Sequence, residues 1–135
     1  MFDIHPSDAA PIWRQIEEGM RRMISLGALA PGAAVPSVRE LAQQLRVNPN
    51  TVARAYQRLT DSGVFAVRRG EGTFVAEQPA QLKKSEKHDT LRDAATRYAG
   101  TAIAVGATIT EASRELEESF GRLTRDHTRE TRRKP

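Results

Sequence analysis

The stretch PSVRELAQQLRVNPNTVARAYQRL, residues 36–59, decides the fold of this chain. Ser37 followed by Glu40 is the pattern of a capping box, which starts a short helix. Asn48 followed by Pro49 starts a second helix, because asparagine caps a helix N-terminus and proline fits the first helical position. Apolar residues at helical spacing follow each start signal, so the stretch predicts two short helices joined by a tight turn.

A pair of helices of this kind suits the reading of DNA. An α-helix fits the major groove, so the side chains of its first turn can reach base edges. Asn50 can form paired hydrogen bonds with a base, and Thr51 can contact a base or a phosphate. Helix–turn–helix pairs also occur in proteins that never touch DNA, so this element alone leaves the function open. The candidate DNA contacts of the second helix are Asn48, Pro49, Asn50, Thr51, Arg54 and Arg58.

Flanking segments complete a domain that we expect to cover residues 1–76. Apolar residues at helical spacing predict a first helix over residues 11–26, which Gly27 ends. Two segments rich in β-forming residues, 64–68 and 73–75, predict the strands of a short hairpin. The expected order of elements is therefore three helices followed by a hairpin.

The tip of this hairpin has a basic, glycine-containing sequence. Arg68 and Arg69 stand there with Gly70 and Gly72, and glycine lets a backbone approach a phosphate or the minor groove closely. The alternative is an ordinary solvated hairpin whose glycines serve the turn alone. The position directly after the reading helix favours a DNA-binding wing, so these four residues join the candidate DNA contacts.

The rest of the chain predicts a separate helical module over residues 89–135. Residues 77–88 are polar and are interpreted as a linker that runs into a helix. We expect one helix over residues 89–105 and another that begins after Thr108 or Thr110 and leads to a frayed basic end. Each helix carries a single apolar stripe, so the module has two helices and little core of its own.

Two helices with single apolar stripes bury too little surface to fold alone, so they need a partner. We expect a dimerisation module in which two copies of the chain pair through these stripes. Packing of the stripes against the first domain of the same chain is the alternative. The candidate interface residues are Leu91, Tyr98, Ala102, Val105, Ile109, Ala112, Leu116, Phe120 and Leu123.

The composition excludes several other classes of protein. The formal net charge of +4 over 135 residues favours a polyanionic partner, although solubility alone also explains such a charge. The absence of cysteine excludes disulfides and thiolate chemistry, and the three histidines lack metal-ligand spacing. We find no catalytic constellation, so we expect no enzyme activity, no metal and no cofactor. Without a signal peptide or a membrane-length apolar run, the chain is expected to be soluble and cytoplasmic.

Three segments of the first domain resemble the GntR family of bacterial regulators and span essentially that whole domain. The resemblance implies a winged helix-turn-helix fold and a DNA-binding regulator. The matching segments are PIWRQI (11–16), GALAPGAAVPSVRELAQQLRVNPNTVARAYQRL (27–59) and GVFAVRRGEGTFV (63–75).

The resemblance also adds residues to the candidate site. It implies that Arg39 contacts DNA from the helix before the reading helix, and that Trp13 is an aromatic packing position in the core or at a dimer edge. Many family members carry arginine where this chain has Pro49 and another basic residue where it has Ala53. More of the specificity then falls to the wing or to the remaining polar residues, Arg39, Asn50, Thr51 and Arg54.

The short C-terminal part is similar to the YtrA-type subfamily, whose members are implied to dimerise through a helical tail. The sequence thus predicts a mostly α fold with a small β-hairpin, in which a winged helix-turn-helix domain precedes a two-helix dimerisation module. The predicted function is a sequence-specific transcription regulator, a repressor that binds a palindromic operator as a homodimer. The alternative is an architectural DNA-binding protein of low specificity. A small-molecule effector is left open, because no polar cluster in the tail marks a site for one.

Overall fold

The computed structural model describes the backbone of residues 1–133 and the side chains of residues 1–125. By contacts the chain divides between Gln81 and Leu82 into two compact units, called here the N-terminal unit and the C-terminal unit. The mostly helical fold predicted from the sequence is confirmed. The elements are α1 (Ile12–Ser25), α2 (Val38–Leu45), α3 (Pro49–Asp61), β1 (Phe65–Arg68), β2 (Gly72–Val75), α4 (Lys84–Ala104) and α5 (Ile109–Arg133).

The predicted caps start the two central helices. The Ser37 hydroxyl accepts a hydrogen bond from the Glu40 N–H at 3.1 Å at the head of α2. The Asn48 side-chain oxygen accepts from the Asn50 N–H at 2.8 Å at the head of α3, where Pro49 takes the first position. Each cap satisfies a backbone donor that the helix itself leaves unpaired, so both helices begin at fixed residues.

One face of each helix in the N-terminal unit lies in a common core. Burial removes apolar surface from water, and a fully buried aliphatic side chain contributes about 1.5–3 kcal/mol. The core therefore holds α1, α2, α3 and the hairpin together as one body. Its largest fully buried side chains are Ile16, Met20, Leu41, Val52, Leu59 and Val75.

Tyr56 connects α3 to the segment that enters α2. Its hydroxyl donates a 2.6 Å hydrogen bond to the Pro36 carbonyl oxygen, and its ring meets Phe65 edge to face at 5.1 Å. Burial, and then the nearby carboxylate of Glu40, raise the pKa of Tyr56. The protonated phenol is the donor in this hydrogen bond, which fixes α3 against the start of α2.

The hairpin is attached to the core by a segment that the sequence analysis did not predict. β1 and β2 are antiparallel, with Phe65 opposite Val75. The Val35 N–H donates to the Thr73 carbonyl at 3.0 Å, and the Val75 N–H donates to the Ala33 carbonyl at 2.8 Å. The chain before α2 thus pairs with β2 through an isolated antiparallel β-bridge between Ala34 and Phe74. These bonds fix the base of the hairpin relative to the helices.

The first residues of the chain pack across α1. Phe2 and Ile4 contact the core, and the Gln15 side chain exchanges two hydrogen bonds with the backbone of His5, at 2.8 and 2.9 Å. The buried Gly19 makes room for this segment, because a Cβ built there would lie 2.6 Å from the ring of Phe2.

In the C-terminal unit, α4 begins at Lys84, five residues before the predicted start at residue 89. The difference has a simple cause: residues 84–88 are polar, so no apolar periodicity marks them, yet lysine and glutamate are good helix formers. α4 ends at Ala104; Gly106 follows with a φ of 77°, and the Ala107 N–H donates to the Ala102 carbonyl at 2.9 Å. This is the Schellman pattern that ends many helices.

A reciprocal capping box starts α5. The Thr108 hydroxyl accepts from the Glu111 N–H and the Glu111 carboxylate accepts from the Thr108 N–H, both at 3.1 Å. Of the two predicted caps, Thr108 is the one used. The predicted frayed basic end, residues 128–135, lies outside the side chains that the structure describes. No helix in the described part of the chain is long and apolar enough to cross a membrane.

The contact between Gly19 and Phe2 generates a test of the packing across α1. We expect Gly19→Ala to lower the free energy of unfolding by about 1 kcal/mol, because the ring of Phe2 must leave its place and the lost burial outweighs the helix propensity gained. In a Phe2→Ala background the same change is expected to raise the free energy by about 0.5–1 kcal/mol, since the obstacle is gone. Urea denaturation followed by circular dichroism measures the free energy of unfolding of the unchanged chain, the two single variants and the double variant. Gly19→Ala with the same sign in both backgrounds would contradict this packing.

Candidate nucleic-acid interface

The turn between α2 and α3 sets the angle at which α3 leaves the core. Arg46 occupies the left-handed region at φ 57°, the one such residue other than glycine in the described chain. The Val47 N–H bonds to the Ala42 carbonyl at 3.0 Å, and the Val47 side chain packs partly buried against the core. Val47 thus fills the angle between the two helices.

The N-terminal turn of α3 presents polar groups to solvent. Asn48, Pro49 and Asn50 are exposed, while Thr51 is half-buried. Asn48 uses its side-chain oxygen for the cap, so its free hydrogen-bonding group is the side-chain NH₂. Asn50 keeps both its amide oxygen and its NH₂ available, which is what paired hydrogen bonding to a base requires.

The arginines on the helices have different surroundings. Arg39 is exposed near the start of α2. Arg54 and Arg58, one turn apart on α3, both place their guanidinium groups over the ring of Trp13 in α1, at 4.6 and 4.5 Å from its centroid. Arg58 also pairs with Glu17 of α1 at 3.1 Å. The sequence analysis placed Trp13 at a packing position but missed these contacts, because α1 and α3 lie far apart along the chain.

The two arginines of the hairpin tip also differ in their surroundings. The guanidinium carbon of Arg68 lies 4.1 Å from the centroid of the Phe74 ring, and the side chain pairs with Glu77 at 3.5 Å. Arg68 is therefore engaged in contacts within the chain. Arg69 is exposed at the tip. Within the described residues, Arg69 has no ion pair, so it is the cation that the tip offers to a partner.

The two glycines of the tip are required by the backbone. Gly70 has a φ of 78° and Gly72 a φ of 119°. Gly70 lies in a turn that is closed by a 2.9 Å hydrogen bond from the Glu71 N–H to the Arg68 carbonyl. These conformations are strained for residues with a Cβ. A Cβ at either glycine would meet no atom of this chain within 4 Å, so the surface around them is open.

The C-terminal unit leaves most of its predicted interface residues in solvent. Ala102 is buried and Ala112 is half-buried, where Tyr98 donates a 2.8 Å hydrogen bond to the Ala112 carbonyl and so joins α4 to α5. Ile103, which the sequence analysis missed, is 77% exposed. It lies beside the stripe assigned to α4, and its exposure was not evident from helical spacing. The exposed members of the predicted set are Leu91, Tyr98, Val105, Ile109, Leu116, Phe120 and Leu123.

No metal site is evident in the part of the chain that the structure describes, where no three acidic or histidine side chains come together. What the N-terminal unit does have is a capped helix held by a second helix, followed by a glycine-bearing basic hairpin. This combination defines a winged helix-turn-helix protein. Residues 13–75 match the model of the bacterial regulatory proteins of the gntR family. The chain belongs to this family, whose members are transcription regulators rather than enzymes.

Curated relatives of this chain are also transcription regulators. The HTH-type transcriptional repressor YtrA of Bacillus subtilis is 42% identical over 77 residues, which are 57% of this chain and 59% of YtrA. The HTH-type transcriptional regulator Rv1152 of Mycobacterium tuberculosis is 36% identical over 78% of this chain and 83% of its own length. The match to Rv1152 extends beyond the N-terminal unit, so the similarity includes part of the tail.

Solved structures share the fold. A transcriptional antiterminator from Listeria monocytogenes superposes with a TM-score of 0.70 at 31% identity and covers 92% of each chain. The DNA-binding domain of AraR, solved in complex with operator ORX1, superposes with a TM-score of 0.50 at 28% identity, over 56% of this chain and all of that domain. A relative of the N-terminal unit has therefore been observed on operator DNA.

The two asparagines at the head of α3 have separable roles. We expect Asn48→Ala to lower the free energy of unfolding by about 1 kcal/mol, because the cap on α3 is lost. Asn48→Asp should retain stability, since a carboxylate caps as well and also suits the positive end of the helix dipole. Asn50→Ala serves as the matched control and should leave stability unchanged within about 0.5 kcal/mol. Equal losses for the two alanine variants in chemical denaturation would contradict the assignment of the cap to Asn48.

Proposed function

We propose that the chain is a sequence-specific transcription repressor that binds a palindromic operator as a homodimer in the bacterial cytoplasm. The observation that carries the proposal is the exposed, capped start of α3, followed along the chain by a hairpin with an open, glycine-bearing tip. Family membership, the repressor function of YtrA and the operator complex of AraR support it. The residues proposed to contact DNA from the first turn of α3 are Asn48, Pro49, Asn50 and Thr51, with Arg39 from α2 and Arg69, Gly70 and Gly72 from the hairpin tip.

Two different kinds of contact are expected within this surface. Asn50, Thr51 and Arg39 have the donors and acceptors that distinguish base edges in the major groove. The tip with Arg69 suits a phosphate or the minor groove, where a cation adjusts to the backbone rather than to one base. Because Pro49 and Ala53 bring no charge to α3, discrimination between bases depends on few side chains. Arg39 is therefore proposed as a principal reading residue.

The dimer is proposed from the surface of the C-terminal unit. Leu91, Ile109 and Phe120 are 61%, 82% and 70% exposed, which is unusual for large apolar side chains on the tail of a small protein. An apolar face of this kind marks an interaction site. A second copy of the chain supplies a matching face by two-fold symmetry. Two reading helices in such a dimer would lie about one turn of DNA apart, roughly 34–36 Å, so the operator is expected to be palindromic.

Selection of bound sequences from a random DNA pool with the full chain tests the proposal as a whole. A palindromic consensus with half-sites about one helical turn apart is the expected result. A flat selection, with affinity independent of sequence and steeply dependent on salt, would instead support the architectural alternative.

Arg39 is tested on the selected operator. We expect Arg39→Ala to weaken operator binding by about 1–3 kcal/mol and to relax the preference at one position of each half-site. Arg97→Ala, which removes the same charge from α4, is the matched control and should change affinity little. Fluorescence anisotropy with labelled duplexes measures both variants. If Arg39→Ala bound the operator as tightly as the unchanged chain, Arg39 would not belong to the site.

The dimer is tested on α5. We expect Leu116→Asp and Phe120→Asp to dissociate it, because a carboxylate would be buried without a partner. Arg114→Gln changes the net charge by the same amount on an exposed position of α5 and should leave the dimer intact. Sedimentation velocity or light scattering gives the molar mass of each variant. A dimer that persists in both aspartate variants would place the interface elsewhere.

A further inference from the structure

Two arginines of α3 lie over the ring of Trp13, and the sequence alone gives no reason to distinguish them. Arg54 and Arg58 are both cations of α3, and their guanidinium carbons lie 4.6 and 4.5 Å from the ring centroid. Cation–π attraction holds a guanidinium over the face of an indole. The two arginines nevertheless differ in what else they contact, and that difference assigns them different functions.

Arg58 is occupied within the chain. Its Nε–H donates to a Glu17 carboxylate oxygen at 3.1 Å, and the Glu17 side chain is only 12% exposed. Withdrawing Arg58 toward another anion would leave that carboxylate largely desolvated and without its cation, which is costly. Glu17 lies one turn after Trp13 on α1, so Glu17 and Arg58 together hold the indole against α3.

Arg54 keeps its charge free. It is exposed, and no carboxylate among the described residues lies within ion-pairing distance of it. A free arginine side chain samples many rotamers, and fixing it on a ligand costs conformational entropy. The indole ring restricts Arg54 before any ligand arrives, so less of this cost remains at the moment of binding.

We propose that Trp13 is a positioning residue that holds Arg54 ready for a DNA phosphate, while Arg58 and Glu17 anchor the indole and do not contact DNA. The inference rests on the proposed DNA-binding function and deepens it. Arg54 stands in the second turn of α3, behind the first turn that reaches the bases, and a cation at that place suits the phosphate backbone. Its contribution is then independent of base sequence and sensitive to salt.

Matched variants one turn apart test the assignment of the two arginines. Arg54→Gln and Arg58→Gln are compared on the selected operator and on an unrelated duplex over a range of salt concentrations. We expect Arg54→Gln to lower the affinity for both duplexes by about three- to tenfold. It should also reduce the slope of log affinity against log salt concentration by about 1. Arg58→Gln should leave that slope unchanged. A lower slope for Arg58→Gln and an unchanged one for Arg54→Gln would overturn the proposal.

A double-mutant cycle tests the role of Trp13. With Arg54 present, Trp13→Leu should weaken binding by about two- to fivefold, and Trp13→Phe, which keeps an aromatic ring, should restore most of it. With Arg54→Gln present, Trp13→Leu should have no further effect. An equal loss in both backgrounds would mean that Trp13 supports the fold and does not position Arg54. Circular dichroism melts of each variant show whether the fold is retained.

Fluorescence gives a second readout that needs no change at Trp13. Trp13 is the one tryptophan of the chain, so the emission reports the surroundings of this ring, where Arg54 and Arg58 both lie. Addition of duplex DNA should change the emission of the unchanged chain and change that of Arg54→Gln far less. Equal changes in both proteins would overturn the proposal even if Trp13→Leu failed to fold. An unchanged chain that bound neither duplex would overturn the proposed function itself and this inference with it, whereas binding unaffected by Arg54→Gln would overturn the inference alone.

Discussion

The burial of one face of α3 is the constraint on which the rest of the N-terminal unit depends. Val52, Tyr56 and Leu59 lie in the core, and the pitch of an α-helix then fixes where every other side chain of α3 points. Asn50 and Arg54 are exposed for that reason. The hydrogen bond from Tyr56 to Pro36 and the edge-to-face contact with Phe65 resist rotation of α3 about its axis. The surface proposed to contact DNA is thus positioned by the core beneath it.

Pairing within the chain decides which positive charges remain for a partner. Arg58 and Arg68 lie near Arg54 and Arg69 in the sequence of α3 and the hairpin, but Arg58 is ion-paired with Glu17 and Arg68 with Glu77. An arginine held by a carboxylate stabilises the contact between two elements, while an unpaired one adds to the field that attracts DNA. The net charge of +4 therefore says less about binding than the positions of the unpaired arginines.

The two units differ in how they use apolar residues. The N-terminal unit buries its large apolar side chains around α3, whereas Ala102 is the one buried residue among the described side chains of the C-terminal unit. Tyr98 joins α4 to α5, but Leu116 and Phe120 remain mostly exposed. A helix pair with such a surface is stable only when another surface covers it. Association of the chain and stability of its tail are therefore expected to be coupled.

The sequence by itself determined the elements of this protein and its family. Caps such as Ser37 and Asn48, and the glycines that follow α1, α3 and α4, act within a few residues, so the linear sequence is enough to identify them. The start of α4 could not be predicted in this way, because the residues of its first turn are polar and show no apolar periodicity. Only the tertiary structure decided that the chain before α2 pairs with β2, and that Trp13 meets arginines on α3. These contacts join residues as much as 45 positions apart, as Trp13 and Arg58 are, and no local pattern encodes which distant side chains will meet.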